Sequence, residues 1–236
     1  MKKVILNQKS YMFYDDMVKF KKAFDKIKTN NYEFIIFPPL LYLSMFRDAE
    51  YKVGSQNFFS YKMGSFTGEL NLESLKKIGI NYTLIGHSER RKIVFESYEM
   101  AKEKLFKSLS SKCNTILCVG EIKKSRRPFG YIKKELNYYL RSIDSATLKY
   151  LSIAYEPSWS IGTGDIQSID RIKDVIERIK LYIEKKYKIK IEVYYGGSVD
   201  ENNINDIFNI SDGVVLGKNS TEIDELNKIL KGIKND

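Results

Sequence analysis

The chain contains 236 residues, of which 43% are hydrophobic and 30% are charged, with a formal net charge of +10. This composition is typical of a globular protein, and no apolar run approaches the ~18 residues that a membrane-spanning helix needs. The first residues, MKKVILNQK, lack the apolar core of a secretory signal, so we expect a cytoplasmic location and no membrane partner.

The counts of cysteine and histidine exclude two further kinds of site. Cys113 and Cys118 fit neither a disulfide framework nor a C-x-x-C metal site, and we interpret them as reduced, buried side chains. A single histidine excludes a histidine-rich metal site. The densest basic stretch, KKSRRPFGYIKK (123–134), carries no zinc-finger or RRM-type motif, so we interpret it as a solvated loop running into a helix, with no nucleic-acid partner.

Eight short apolar runs alternate with longer amphipathic ones along the whole chain. In chain order, the predicted strands are residues 4–7, 33–37, 51–55, 82–86, 115–119, 151–155, 191–195 and 213–217. Most of these runs are continuously apolar rather than alternating, which is typical of parallel strands covered on both faces.

The clearest predicted helix covers residues 168–188, where five aliphatic side chains recur at spacings of three and four residues. Ser168 is the expected N-cap of this helix. Asn71 opens a shorter predicted helix that ends near Gly79. Thr221 with Asp224 resembles a capping box and predicts the start of the last helix.

Eight βα units without a linker predict an α/β fold, a (β/α)₈ barrel forming one domain over residues 1–236. An open doubly wound sheet is the alternative, but it would usually contain fewer strands. In the barrel, the carboxyl ends of all eight strands open on one face, and catalytic residues collect there.

Polar residues follow nearly every predicted strand. In chain order they are Asn7-Gln8-Lys9, Gln56-Asn57, His87-Ser88-Glu89, Glu121, Glu156, Ser198 and Lys218. Because these positions belong to one mouth of the predicted barrel, we expect an active site at that mouth.

The same residues lie in motifs that resemble those of the triosephosphate isomerase family. The motifs are N-x-K (Asn7, Lys9), GSFTGE (64–69), GHSERR (86–91), CVGE (118–121), AYEPSWSIGTG (154–164) and YGGSV (195–199), in the family's order. GHSERR and YEPxWxIGTG are specific to the family, whereas YGGS and GE carry little weight alone. The resemblance covers nearly the whole chain and implies the same barrel.

The resemblance implies an isomerase that interconverts dihydroxyacetone phosphate and glyceraldehyde 3-phosphate without a metal or an organic cofactor. Glu156 is the implied general base, since burial among apolar walls makes a carboxylate more basic. His87 is the implied acid and proton shuttle, kept neutral by a helix N-terminus beside it. Lys9, with Asn7 as a neutral donor, is the implied oxyanion stabiliser, and Glu89 is its counter-ion.

The resemblance also implies a phosphate site and a lid. The residues expected to bind the phosphate, chiefly through backbone N–H groups, are Gly162, Ser198, Gly217 and Lys218. Residues 157–164 are the implied lid, which closes over the substrate and excludes water. Ile161 is expected to press on Glu156, and Tyr195 to hydrogen-bond the closed lid.

The chain departs from the family's usual pattern at several positions. Lys218 stands where a second glycine is usual, and Gln8 where an aromatic residue is usual. Phe95 replaces a glycine after HSERR. Asp165-Ile166-Gln167 differs from the commoner trailing hinge of the lid, so lid kinetics and local packing are the properties that these departures affect most.

In the family, the loop GSFTGE inserts into a neighbouring subunit, with Thr67 near the partner's site, and this implies a symmetric homodimer.

Two alternatives stay open for the function. One is another phosphate-binding barrel enzyme, either a sugar-phosphate epimerase or an aldolase with Lys9 as its Schiff-base lysine. The other is a non-catalytic nucleic-acid binder, which would account for the positive charge.

Overall fold

The computed structural model describes residues 1–28 and 31–233. Eight parallel strands form a closed barrel, in which β1 to β8 pair in sequence order and β8 pairs back with β1. The strands are β1 (Lys2–Asn7), β2 (Tyr32–Phe37), β3 (Lys52–Ser55), β4 (Tyr82–Ile85), β5 (Asn114–Val119), β6 (Leu151–Tyr155), β7 (Val193–Tyr195) and β8 (Gly213–Leu216). Every predicted strand overlaps one of these, so the predicted (β/α)₈ barrel is confirmed.

Helices connect the strands around the outside of the barrel. Over the described residues, the α-helices are α1 (Tyr14–Phe24), α2 (Leu72–Lys77), α3 (Ser88–Ile93), α4 (Tyr98–Ser110), α5 (Pro128–Leu140), α6 (Ile169–Tyr187), α7 (Ile204–Ile210) and α8 (Ile223–Lys231). Shorter 3₁₀ helices cover Leu40–Phe46, Ser145–Tyr150 and Lys218–Ser220. The first of these takes the place of an α-helix after β2.

Of the three predicted helix N-caps, the structure confirms the cap at Asn71. The Asn71 side chain accepts a hydrogen bond from the backbone N–H of Ser74 at 2.8 Å, which confirms it as the cap of α2. Ser168 precedes α6, but its side chain makes no capping bond. The capping box predicted at Thr221 is wrong, because α8 begins later and the Thr221 hydroxyl donates instead to the carbonyl of Lys218 at 2.7 Å.

Each strand faces two apolar layers, which explains its continuously apolar sequence. Ile5 of β1 points into the barrel, whereas Val4 and Leu6 point outward to the helices. The interior layer contains Ile5, Ile35, Phe37, Leu84, Ile116, Cys118, Ala154, Tyr194 and Val215. Cys113 and Cys118 are free and buried, as expected.

The barrel interior is filled closely enough to require a glycine in β3. A β-carbon at Gly54 would lie 2.2 Å from the ring of Phe37, a fully buried interior residue. Gly130 in α5 is the opposite case, because no atom from elsewhere in the described part of the chain lies within 4 Å of the position of its β-carbon. The two glycines therefore form a matched pair for testing the packing.

We expect Gly54→Ala to lower the free energy of unfolding by about 1–3 kcal/mol, the usual cost of over-packing a core. Gly130→Ala should be neutral or stabilising by up to about 1 kcal/mol, because alanine favours a helix interior. Equilibrium urea unfolding followed by circular dichroism measures both values. Equal stabilities of the two variants would contradict the packing described for the interior.

Candidate active site

Three strands deliver the three residues that the sequence predicts for chemistry to one mouth of the barrel. Lys9 follows β1, His87 follows β4 and Glu156 follows β6. The Nε2 atom of His87 lies 3.3 Å from Oε2 of Glu156. Lys9 is close enough to act electrostatically on Glu156, so the predicted base, acid and cation lie together.

Glu156 is buried at the tip of β6, where only 3% of its surface is exposed. Its backbone N–H donates to the carbonyl of Val119 at 2.8 Å, which continues the pairing of β6 with β5. Burial raises the pKa of the Glu156 carboxyl, and the charges of His87 and Lys9 lower the pKa only in part. The site therefore strengthens this carboxylate as a base.

Two glycines make room for Glu156, and their role was not predicted. A β-carbon at Gly196 would lie 2.7 Å from Cγ of Glu156, and one at Gly120 would lie 2.1 Å from its carbonyl oxygen. Neither distance is possible for a real side chain. The only sequence signal was a glycine directly after the fifth and seventh predicted strands.

His87 is the N-cap residue of α3, and its ring is oriented by the helix that follows. Its Nδ1 atom accepts a hydrogen bond from the backbone N–H of Glu89 at 3.3 Å. A ring nitrogen that accepts a bond carries no proton, so in the neutral ring the proton is on Nε2, which faces Glu156. The Glu156 Oε2 atom itself has no hydrogen-bond partner among the described residues.

Neighbouring residues hold both the side chain and the backbone of Lys9 in place. Its ammonium forms an ion pair with Glu89, the predicted counter-ion. Its backbone has a φ of +54°, a left-handed conformation that costs a residue with a side chain about 1–2 kcal/mol. The Gln56 side chain donates to the carbonyl of Lys9 at 2.9 Å, and so fixes this strained backbone. Gln56 was predicted at the mouth, but without this role.

The four residues predicted to bind phosphate line one cavity of about 360 Å³. Lys9 and Ile161 line the same cavity. Lys218 begins a 3₁₀ helix and is not among the residues with a left-handed backbone, so its N–H is available without strain. Asn7, 4% exposed, is the last residue of β1 and lies two residues before Lys9.

The segment predicted as a lid is bonded to both sides of the mouth. Trp159 Nε1 donates to Oε1 of Glu121 at 3.2 Å, and the N–H of Gly164 donates to Oγ of Ser198 at 3.1 Å. Ser198 Oγ donates in turn to the carbonyl of Ser160 at 2.6 Å. In this position the lid borders the cavity through Ile161 and Gly162.

The hydrogen bond predicted from Tyr195 to the closed lid stays a prediction, although the hydroxyl interacts with Ser160 of that segment. Within residues 1–28 and 31–233, the buried Tyr195 hydroxyl has no regular hydrogen-bond partner, and a β-carbon at Gly197 would lie 2.1 Å from its oxygen. Burial raises the pKa of Tyr195 to about 12, and Ser160 of the lid partly opposes the rise. The predicted pressure of Ile161 on Glu156 stays a prediction.

Comparison with known proteins identifies the family. The family model described as Triosephosphate isomerase matches residues 2–233. The chain belongs to the triosephosphate isomerase family.

Relatives in the family resemble this chain over most of its length. A triosephosphate isomerase of Alkaliphilus metalliredigens is 37% identical over 85% of this chain and 86% of the relative. One of Mycoplasma genitalium is 34% identical over 93% of each chain, and one of Orientia tsutsugamushi (strain Boryong) is 31% identical over 98% of this chain and 97% of the relative. Membership of this family makes the chain an enzyme of the isomerase class.

Glu121, within the family motif CVGE, connects the lid to the barrel. Its Oε1 atom accepts hydrogen bonds from Gln167 Nε2 at 2.8 Å, from Trp159 and from the Tyr155 hydroxyl at 3.3 Å. Gln167 belongs to the trailing hinge that departs from the family's commoner pattern. The unusual hinge residue is therefore bonded to a buried carboxylate, a contact that sequence reasoning missed.

Two findings bear on other kinds of site. In residues 1–28 and 31–233, no group of three or more His, Cys, Asp or Glu is arranged to hold a metal ion. The same residues include no helix that is both long and apolar enough to cross a membrane.

The raised pKa of Glu156 predicts a pH-dependent effect on stability. At pH values above the ordinary glutamate pKa of 4.5 and below the raised pKa in the folded protein, the native carboxyl keeps a proton that the unfolded chain has released, so stability falls as pH rises. We therefore expect Glu156→Gln to be more stable than the wild type at pH 8, and the difference to shrink towards pH 4.

Urea unfolding at pH 4, 6 and 8 measures this difference. Glu177→Gln is the control, because it makes the same chemical change at an exposed position on α6. If the advantage of Glu156→Gln were the same at all three pH values, the assignment of a raised pKa to Glu156 would be wrong.

Proposed function

We propose that this isomerase interconverts dihydroxyacetone phosphate and glyceraldehyde 3-phosphate through an enediolate, at the mouth formed by Lys9, His87 and Glu156. The observation that carries the proposal is the 3.3 Å approach of His87 Nε2 to a buried Glu156, beside a cavity lined by the predicted phosphate-binding residues. The family relationship favours this reaction over the epimerase, aldolase and nucleic-acid alternatives.

Glu156 acts as the base in the proposed reaction. It removes a proton from the carbon beside the carbonyl and returns it to the neighbouring carbon. Its burial supports this role, because a base with a raised pKa accepts a carbon-bound proton more readily. Gly196 leaves room for the carboxylate, because a β-carbon there would lie 2.9 Å from its Oε1 atom.

His87 and Lys9 act on the substrate oxygens. The neutral imidazole donates its Nε2 proton to the carbonyl oxygen and recovers a proton from the adjacent hydroxyl. The Lys9 ammonium, with Asn7 beside it, stabilises the negative charge that develops on the enediolate. Glu89 supports both groups, since its N–H orients His87 and its carboxylate pairs with Lys9.

The phosphate occupies the cavity in this proposal, bound by backbone N–H groups of Gly162, Gly217 and Lys218 and by Ser198. The lid, residues 157–164, covers the reacting carbons. Closure excludes water and holds the phosphate of the enediolate against elimination.

The first test removes the proposed base. Glu156→Gln keeps the shape of the side chain but cannot accept the proton, so we expect turnover to fall by at least ~10²-fold. A coupled assay of purified protein in both directions measures the rate. Glu177→Gln, with the same chemical change on α6, should retain wild-type turnover. Near-normal turnover of Glu156→Gln would exclude Glu156 as the base.

We also propose a homodimer in the cytoplasm, with the exposed loops around the mouth as the interface. Phe13, Met63 and Phe95 are each more than four-fifths exposed, at 81%, 87% and 83%, and they follow β1, β3 and β4. Apolar side chains so exposed favour burial against a second copy. Thr67 lies in the same exposed loop as Met63, where the family resemblance expects the partner's site.

The dimer is tested by its mass in solution. We expect sedimentation equilibrium to give twice the chain mass of 27.5 kDa for the wild type, and Met63→Asp to shift the protein towards monomer. Leu181→Asp is the control, because Leu181 is 51% exposed on α6, away from these loops. A monomeric wild type, or an equal effect of both substitutions, would contradict the interface.

A further inference from the structure

One basic side chain outside the mouth contacts the lid and the residue that directly follows it. The Lys124 ammonium lies 4.8 Å from the centre of the Trp159 ring, within the range of a cation–π interaction. The same ammonium lies 3.3 Å from Oδ2 of Asp165. Lys124 belongs to the basic stretch that the sequence presented as a solvated loop.

The backbone that carries Lys124 is fixed to the barrel. Residues 122–127 lie between two buried residues. Glu121 precedes them, and Pro128, the first residue of α5, follows them. Between them, the Arg171 guanidinium of α6 donates to the carbonyl of Ser125. The loop that carries Lys124 is therefore anchored to the barrel at both of its ends and at Ser125.

The two contacts meet opposite ends of the lid. Trp159 is near its leading end, and Asp165 directly follows its last residue. Thr163 joins the two ends, because its hydroxyl donates to the carbonyl of Trp159 at 3.3 Å and accepts from the N–H of Asp165 at 3.1 Å. A cation that attracts both ends acts on the whole lid as one unit.

We propose that Lys124 is a positioning residue, which stabilises the lid in the conformation where Ile161 and Gly162 border the substrate cavity. The proposal rests on the proposed function of the lid and adds a residue to it. Lys124 does not touch the cavity and acts only through Trp159 and Asp165.

The exposure of the Lys124 and Asp165 side chains limits the effect of Lys124 on activity. The side chains of Lys124 and Asp165 are 69% and 55% exposed, so their ion pair is weak and screened by salt. The cation–π contact adds a second modest attraction. Together we expect them to change kcat/KM by about 3- to 10-fold.

The test compares three variants of the full chain. Lys124→Met keeps the apolar stem but removes the charge, and should lower kcat/KM for the triose phosphates by about 3- to 10-fold. Lys124→Arg keeps a cation for both contacts and should restore activity. Lys123→Met removes the same charge from an exposed neighbouring position, and should stay within 2-fold of the wild type. An equal loss in Lys123→Met and Lys124→Met would overturn the proposal in favour of general electrostatic steering.

A spectroscopic readout separates this proposal from the proposed function. Trp159 is the single tryptophan, so its fluorescence reports on the lid directly. Lys124→Met should change its emission and weaken the response to inorganic phosphate, whereas Lys124→Arg should not. A wild type without isomerase activity would reject the proposed function, and the fluorescence would still test Lys124. Wild-type emission and phosphate response in Lys124→Met would overturn the positioning role.

Discussion

Burial of the Glu156 carboxylate is the constraint on which the rest of the mouth depends. A charged group removed from water is costly, and here the cost appears as a raised pKa. The charges of His87 and Lys9 offset part of that cost. Gly196 packs against the Glu156 side chain, and Gly120 packs against its backbone carbonyl. Any bulkier residue at either glycine would push Glu156 away from its partners. The same burial that destabilises the charge makes the carboxylate a stronger base.

Glu89 organises the opposite side of the same mouth. Its backbone N–H bonds to His87 and its carboxylate to Lys9, so one residue of α3 sets both the tautomer of the imidazole and the position of the ammonium. The strained backbone of Lys9 would relax without support, and Gln56 of the neighbouring strand end supplies it. Precise placement of these groups thus rests on contacts between adjacent strand ends, which a closed parallel barrel brings to one edge.

The sequence predicted the barrel and the mouth well because both depend on one-dimensional patterns: continuous apolar runs, and polar residues directly after them. It could not predict relations that exist only in space. The clearance at Gly196 and the support from Gln56 depend on which strand ends are neighbours. The cap expected of Thr221 failed because α8 begins one residue later, with Glu222 at its N-cap. Burial can likewise be read from apolar runs, but the partner of a polar side chain cannot.

The departures from the family pattern in the trailing hinge are connected by these contacts. Asp165 is a carboxylate that faces the basic loop through Lys124, and Gln167 bonds to the buried Glu121 from which that loop begins. Trp159 contacts both Lys124 and Glu121. The hinge and the basic loop are therefore complementary in charge and hydrogen bonding, although neither touches the reacting groups. A substitution in one of them changes the partner of the other, so the two segments jointly constrain residues 157–164.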